Sequence, residues 1–131
     1  MSRATYLDSS AIVKLAVAEP ESGPLRRYLR RRTPYVSSAL ARAEVARALL
    51  PFGTTAIQRG ETVLARIDLV RVSDTVLRAA GGLLPEELRT LDAIHLATAA
   101  QLGEDLARLV TYDTRMRAVA ELLGLDVAAP T

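Results

Sequence analysis

The chain opens on a short β-favouring apolar run, Ala4-Thr5-Tyr6-Leu7, which stops at Asp8-Ser9-Ser10 and gives way to Ile12, Val13, Leu15 and Ala16 at helical spacing. A period of two passing into a period of about 3.6 marks a strand that feeds a helix, with Ser9 or Ser10 as the natural N-cap. The same alternation repeats downstream. Glu19 to Pro24 reads as a loop, and a second helix runs to about Arg32 with Leu25, Tyr28 and Leu29 inward and the arginines outward. Thr33-Pro34 ends it, since the residue before a proline disfavours helix. Tyr35 to Ser38 reads as a second strand, Ala39 to Leu50 as a third helix stopped by Pro51 and Gly53, and Thr54 to about Ile67 as a fourth helix that Gly60 weakens.

Leu69 to Val72 predicts a third strand, and Ser73-Asp74 caps a helix reaching about Leu84. Thr90-Leu91-Asp92 opens a helix whose Ala-rich middle, Ala93 to Leu102, is expected to lie buried. Leu106 to Tyr112 is the fourth strand, Asp113 opens the last helix, and Gly124 to Val127 is a candidate edge strand. Strands alternating with helices predict an α/β fold with a mostly parallel sheet covered on both faces. No repeat or linker interrupts the pattern, so residues 1–131 read as a single domain.

Composition narrows the chemistry. The absence of Cys excludes disulfides, thiolate nucleophiles and zinc ribbons, and suits a reducing compartment. Met1-Ser2-Arg3 leads straight into a strand too short for a signal peptide, and no run approaches the about 18 apolar residues of a membrane span, so a soluble cytoplasmic protein without membrane contact is expected. The net charge of +2 hides an uneven layout, with Arg26, Arg27, Arg30, Arg31 and Arg32 packed into one helix. Such a face is either solvated or a grip for phosphates.

Four acids fall where a soluble fold has little structural reason to place them. Asp8 ends the first strand and Asp113 the fourth; if those strands are parallel neighbours, both carboxylates emerge at one sheet edge, where open α/β sheets bind ligands. Glu44 shares a helix face with Leu40, Ala41 and Ala48, where a carboxylate is rarely buried unless paired, and Asp92 sits in the first turn of the Ala-rich helix. Each acid alone has an ordinary explanation: a cap, a first-turn acid, or for Glu44 a surface pair with Arg42 or Arg47. Gathered together, they would repel one another and either hold protons or recruit a hard divalent cation such as Mg²⁺ or Mn²⁺. That cluster suits phosphodiester hydrolysis by an activated water, with Ser9, Ser10 and Thr111 as supporting hydroxyls. A phosphate-accepting Asp-x-Asp domain is excluded by Ser10, which stands where the second acid would be. Nucleotide folds are excluded by the lack of a glycine-rich loop after the first strand.

Tyr6-Leu7-Asp8-Ser9-Ser10-Ala11, Ala43-Glu44-Val45, Leu91-Asp92-Ala93-Ile94-His95-Leu96-Ala97-Thr98-Ala99 and Leu109-Val110-Thr111-Tyr112-Asp113 resemble, in order and spacing, the PIN-domain ribonucleases, specifically the toxin half of VapBC toxin–antitoxin pairs. The resemblance covers essentially the whole chain, and its third segment is the most specific. It implies a three-layer α/β/α fold around a mostly parallel sheet of four to five strands. It also implies a Mg²⁺ or Mn²⁺ site made of Asp8, Glu44, Asp92 and Asp113, supported by Ser9 and Thr111, and endonucleolytic cleavage of RNA. A homodimer and a cognate VapB-like antitoxin whose C-terminal segment blocks the acidic groove come with it. Arg115 is then a candidate for scissile phosphate or antitoxin, and Arg26, Arg27, Arg30 and Arg31 for RNA or antitoxin contact. Where many PIN domains have Asn before the last acid, this chain has Tyr112, expected to pack under the last helix. His95, the single histidine, is expected to be a satisfied core residue. The alternative reading is a non-catalytic RNA- or protein-binding module on the same scaffold.

Overall fold

In the computed structural model, which describes residues 3–131, five strands and seven helices alternate. The reading of Met1 and Ser2 as a lead-in to the first strand lies outside the described residues. Strands β1 (Ala4–Leu7), β2 (Tyr35–Ser38), β3 (Asp68–Val70), β4 (Leu106–Val110) and β5 (Val127–Ala128) form one sheet in the order β3-β2-β1-β4-β5. Every pairing is parallel, including β1 with β4, so the α/β/α architecture stands as expected.

Helices α1 (Ser9–Ala16), α2 (Ser22–Leu29), α3 (Ala41–Leu49) and α4 (Thr54–Leu64) cover one face. Helices α5 (Asp74–Gly81), α6 (Thr90–Gln101) and α7 (Thr114–Leu122) cover the other. Alternation along β1 feeds both cores: Leu7 packs with Ile12, Leu25 and Val45, while Tyr6 points the opposite way and packs with Leu96, Leu109 and Met116. The middle of α6 is buried without a break from Ala93 to Ala99, as its composition predicted.

Several local expectations are corrected. The N-cap of α1 is Asp8 itself, whose carboxylate accepts from the Ala11 N–H, and not Ser9 or Ser10. The helices are shorter than the periodicity suggested: α2 ends at Leu29, α4 at Leu64 and α5 at Gly81. The buried stripe of α3 is Ala41, Val45 and Leu49, which leaves Ala48 exposed and Glu44 on the border of the stripe. Gly60 is explained by close packing, because a Cβ there would stand 2.4 Å from the buried Leu49 Cδ1. Gly60→Val is therefore expected to overpack the α3–α4 contact and destabilise the chain by about 1–3 kcal/mol, read from the urea midpoint. An unchanged midpoint would show that Leu49 has room to move.

Candidate active site

The strand order reverses between β1 and β4, and the crevice at their carboxyl ends is the switch point where open parallel sheets bind ligands. Asp8 follows β1 and Asp113 follows two residues after Thr111, the first residue past β4. Asp8 is almost wholly buried, at 2% exposure. Its Oδ1 accepts from the Ser10 hydroxyl at 2.7 Å and the Ala11 N–H at 3.0 Å, and its Oδ2 accepts from the Thr111 hydroxyl at 2.5 Å. The Thr111 oxygen in turn accepts the Asp113 N–H at 3.1 Å, so one threonine ties the two strand-end acids together. Asp113 caps α7, its Oδ1 taking the N–H groups of Arg115 and Met116.

Glu44 reaches the same edge from α3. Its Oε1 accepts from the Ser9 hydroxyl at 2.7 Å and pairs with Nε2 of His95 at 2.6 Å, across from α6. The expected alternative partners Arg42 and Arg47 are both exposed, and neither pairs with Glu44. Asp92 stands in the first turn of α6, half-buried.

The charges acknowledge one another. Burial raises the Asp92 pKa, and repulsion from Asp113 and Glu44 raises it further against the attraction of His95 and Arg89. Burial likewise raises Asp8, outweighing the donors Thr111, Ser10 and Ala11 that favour its ionised form. Glu44 goes the other way: burial would raise it, yet the hydrogen bonds from His95 and Ser9 hold it below the ordinary carboxylate range. Asp92, Asp113 and Glu44 thus lie in one another's field, and Asp8 joins Asp113 through the Thr111 hydroxyl.

Among the described residues, no three acid or histidine side chains already converge in metal-ligating geometry. The hydrogen bonds account for this, since each carboxylate but Asp92 is drawn onto scaffold donors. They also leave ligating capacity. A carboxylate oxygen has two lone pairs, so Asp8 Oδ2 keeps one of them, and the second oxygens of Glu44 and Asp113 take none of these bonds. An oxygen-only set with unneutralised charge fits a hard divalent cation.

The remaining sequence candidates divide. Ser9 supports Glu44, Thr111 supports Asp8, and Ser10, given a lesser place by the sequence, holds Asp8 directly. Arg115 is exposed at the start of α7, one turn from Asp113. Tyr112 packs, though not under the last helix: it lies against the α1–α4 core, its hydroxyl donates to the Pro130 carbonyl and its ring lies under Lys14 Nζ, 4.8 Å from the centroid. The arginine cluster is not brought to the acids. Because α2 leads into β2, its basic end lies at the amino edge of the sheet, where the Arg32 carbonyl accepts from Thr5 of β1. Arg26 and Arg30 instead line a groove of about 490 Å³ with Arg59, Arg66 and an apolar floor that includes Leu29 and Val63. Tyr6 is the residue the sequence reading missed, its hydroxyl 2.7 Å from His95 Nδ1. The β1 alternation, which turns Tyr6 toward the α6 face, was the available signal.

The PIN domain model matches residues 5–122. With that match, this topology and these acids at its switch point, the chain belongs to the PIN-domain family, in its VapC branch. It is 68% identical over 128 residues to Ribonuclease VapC46 of Mycobacterium tuberculosis H37Rv, covering 98% of each chain. It is 42% identical over 130 residues to Ribonuclease VapC35 of the same species, covering 95% of this chain and 96% of that one. The fold is shared with two solved structures. One is a toxin–antitoxin complex from Klebsiella pneumoniae (TM-score 0.74, 23% identity, 97% of this chain and 98% of that one). The other is M. tuberculosis VapC20, a sarcin-ricin loop cleaving toxin (TM-score 0.77, 16% identity, 96% and 99% covered).

Proposed function

We propose that residues 1–131 form a single PIN domain that acts in the cytoplasm as a divalent-cation-dependent endoribonuclease, the toxin of a type II toxin–antitoxin pair. The observation that carries this reading is the mutual repulsion of Asp92, Asp113 and Glu44 at the β1/β4 switch point, with Asp8 tied to Asp113 through Thr111, in a chain 68% identical to a ribonuclease. Asp8, Glu44, Asp92 and Asp113 would hold Mg²⁺ or Mn²⁺ through the oxygens their hydrogen bonds leave open. Bound there, the ion polarises water and offsets negative charge on the phosphodiester. The chain's own part is positioning. Thr111 fixes Asp8 relative to Asp113, Ser9 and His95 fix Glu44, and the rigid caps of α1 and α7 hold two acids within the same crevice. Arg115, exposed beside Asp113, is placed to meet a substrate phosphate. No side-chain nucleophile is needed.

The test is cleavage of a structured RNA by the purified protein with Mg²⁺, with Mn²⁺ and with EDTA. Cleavage that survives EDTA ends the metal-dependent reading, and binding of RNA without cleavage in any of the three supports the non-catalytic module instead.

The partner is a VapB-like antitoxin, and the toxin itself forms a homodimer. The arginine groove suits an acidic amphipathic segment of that antitoxin better than the scissile RNA, because its guanidinium groups flank an apolar floor. The expected outcome for Arg30→Glu combined with Arg59→Glu is at least about tenfold weaker antitoxin binding, a charge-reversal effect of the size seen at complementary interfaces, with RNA cleavage by the free toxin within about twofold. Loss of cleavage with intact antitoxin binding would reassign the groove to RNA.

A further inference from the structure

The hydrogen bonds around Glu44 continue past it into the core. His95 is buried at 2% exposure and Tyr6 at 0%, and the two rings meet edge-on with centroids 5.8 Å apart. Tyr6 Oη lies 2.7 Å from His95 Nδ1, and His95 Nε2 lies 2.6 Å from Glu44 Oε1 and 3.3 Å from Ser9 Oγ. Glu44 offers no donor, so the imidazole proton between them sits on Nε2, aimed at Oε1, and Nδ1 is left to accept from the Tyr6 hydroxyl. A carboxylate can only accept, so this tautomer satisfies every contact in the chain. The Ser9 hydroxyl donates to the same Oε1. Both donors therefore converge on one oxygen of Glu44 and leave the other without either bond.

We propose that Tyr6 and His95 are positioning residues for Glu44: the tyrosine holds the histidine ring in its orientation, and the histidine holds the carboxylate so that Oε2 faces the cation position. The inference rests on the four-carboxylate reading and deepens it. A carboxylate at the end of a flexible side chain would otherwise lose rotamer freedom on taking an ion, and a held carboxylate has lost it already. The device is built from two different elements, β1 and α6, both anchored in the core, so its geometry is set by the sheet and not by the mobile end of α3's side chain.

Tyr6→Phe tests it, since the ring and its packing remain while Nδ1 loses its donor. Nδ1 is then a buried acceptor without a donor, and the ring that carries the Nε2–H to Glu44 loses its anchor. Mn²⁺ affinity, read by electron paramagnetic resonance of the free ion and without RNA, is expected to weaken about tenfold, the usual effect of removing a group that orients a ligand. In cleavage assays kcat should fall with KM for RNA unchanged. His95→Leu should weaken Mn²⁺ binding similarly, and His95→Gln, whose amide can still donate to Glu44, should recover much of it. In a Glu44→Gln background Tyr6→Phe should have no further effect. Parent-like Mn²⁺ affinity in Tyr6→Phe overturns the proposal, as does an equal loss in the Glu44→Gln background, which would show action by another route. A parent protein that binds no Mn²⁺ takes down the metal-site reading itself and this inference with it.

Discussion

Asp8→Asn is expected to abolish RNA cleavage and, in EDTA, to raise the thermal midpoint of the protein. The two effects come from the same burial. Asp8 is 2% exposed, and burial lifts its pKa despite three hydrogen bonds, which means that the folded chain holds this charge at a disadvantage. Asn has the same shape. Its carbonyl oxygen can keep the Ser10 and Ala11 donors, while its amide meets the Thr111 oxygen, so the cap of α1 survives without the charge. Cleavage has no such substitute, because an amide brings no negative charge to a cation. The loss should exceed the about 10–100-fold typical of groups that only support a ligand. Melting by circular dichroism in EDTA, beside RNA cleavage in Mg²⁺, separates the outcomes. Parent-like cleavage removes Asp8 from the site, and a lower midpoint shows that exchanging the charge-assisted Thr111 bond for a neutral one outweighs the relief of burying a charge.

What could be read from the residues is what local chemistry controls. Asp113 caps α7 and Ser73 caps α5 as expected, because a cap is decided within three residues. The crevice itself was legible, since β1 and β4 each give way to polar residues, Asp8 and Thr111, and their adjacency is the one topological fact needed. The cap of α1 was not. Asp8, Ser9 and Ser10 are all good capping residues, and the choice falls to Asp8 only because Thr111, 103 residues away, fixes its carboxylate in place. Glu44 shows the same limit. Helical spacing put it on a buried face, but its partners come from α1 and α6, and it pairs with neither of the nearby arginines. The arginine cluster failed for a reason of direction: α2 runs toward the start of β2, which carries its basic end away from the acids. Charge counted along the chain carries no information about which sheet edge it reaches.

The metal-free protein is expected to lose stability as pH rises from about 4 toward neutral, and saturating Mg²⁺ to restore it at neutral pH. Asp8 and Asp92 both have folded-state pKa values raised above their ordinary ones. A group of that kind binds its proton more tightly when folded, so its contribution is fully present below the unfolded carboxyl value of about 4 and is lost as pH climbs through the raised value. Glu44 opposes them: its pKa is lowered, so its contribution is present above the unfolded value and lost in acid. Glu21 is lowered too, by its bond from Lys14, but it sits at the surface where solvent screens the effect, so the buried Asp8 and half-buried Asp92 set the net sign. Asp92 discriminates best, because Asp113 and Glu44 repel it and no hydrogen bond compensates in its neighbourhood. The midpoint of Asp92→Asn in EDTA should therefore overtake that of the parent increasingly as pH rises. Mg²⁺ at about 100 times its Kd adds about 2.7 kcal/mol to the folded state, which for a chain of this size lifts the midpoint by about 10 °C. Asp92→Asn should gain little of this. If Mg²⁺ moves parent and variant equally, the ion binds away from Asp92. If the parent's midpoint rises with pH in EDTA, the acids are not in each other's field, and the electrostatic basis for recruiting a cation is gone.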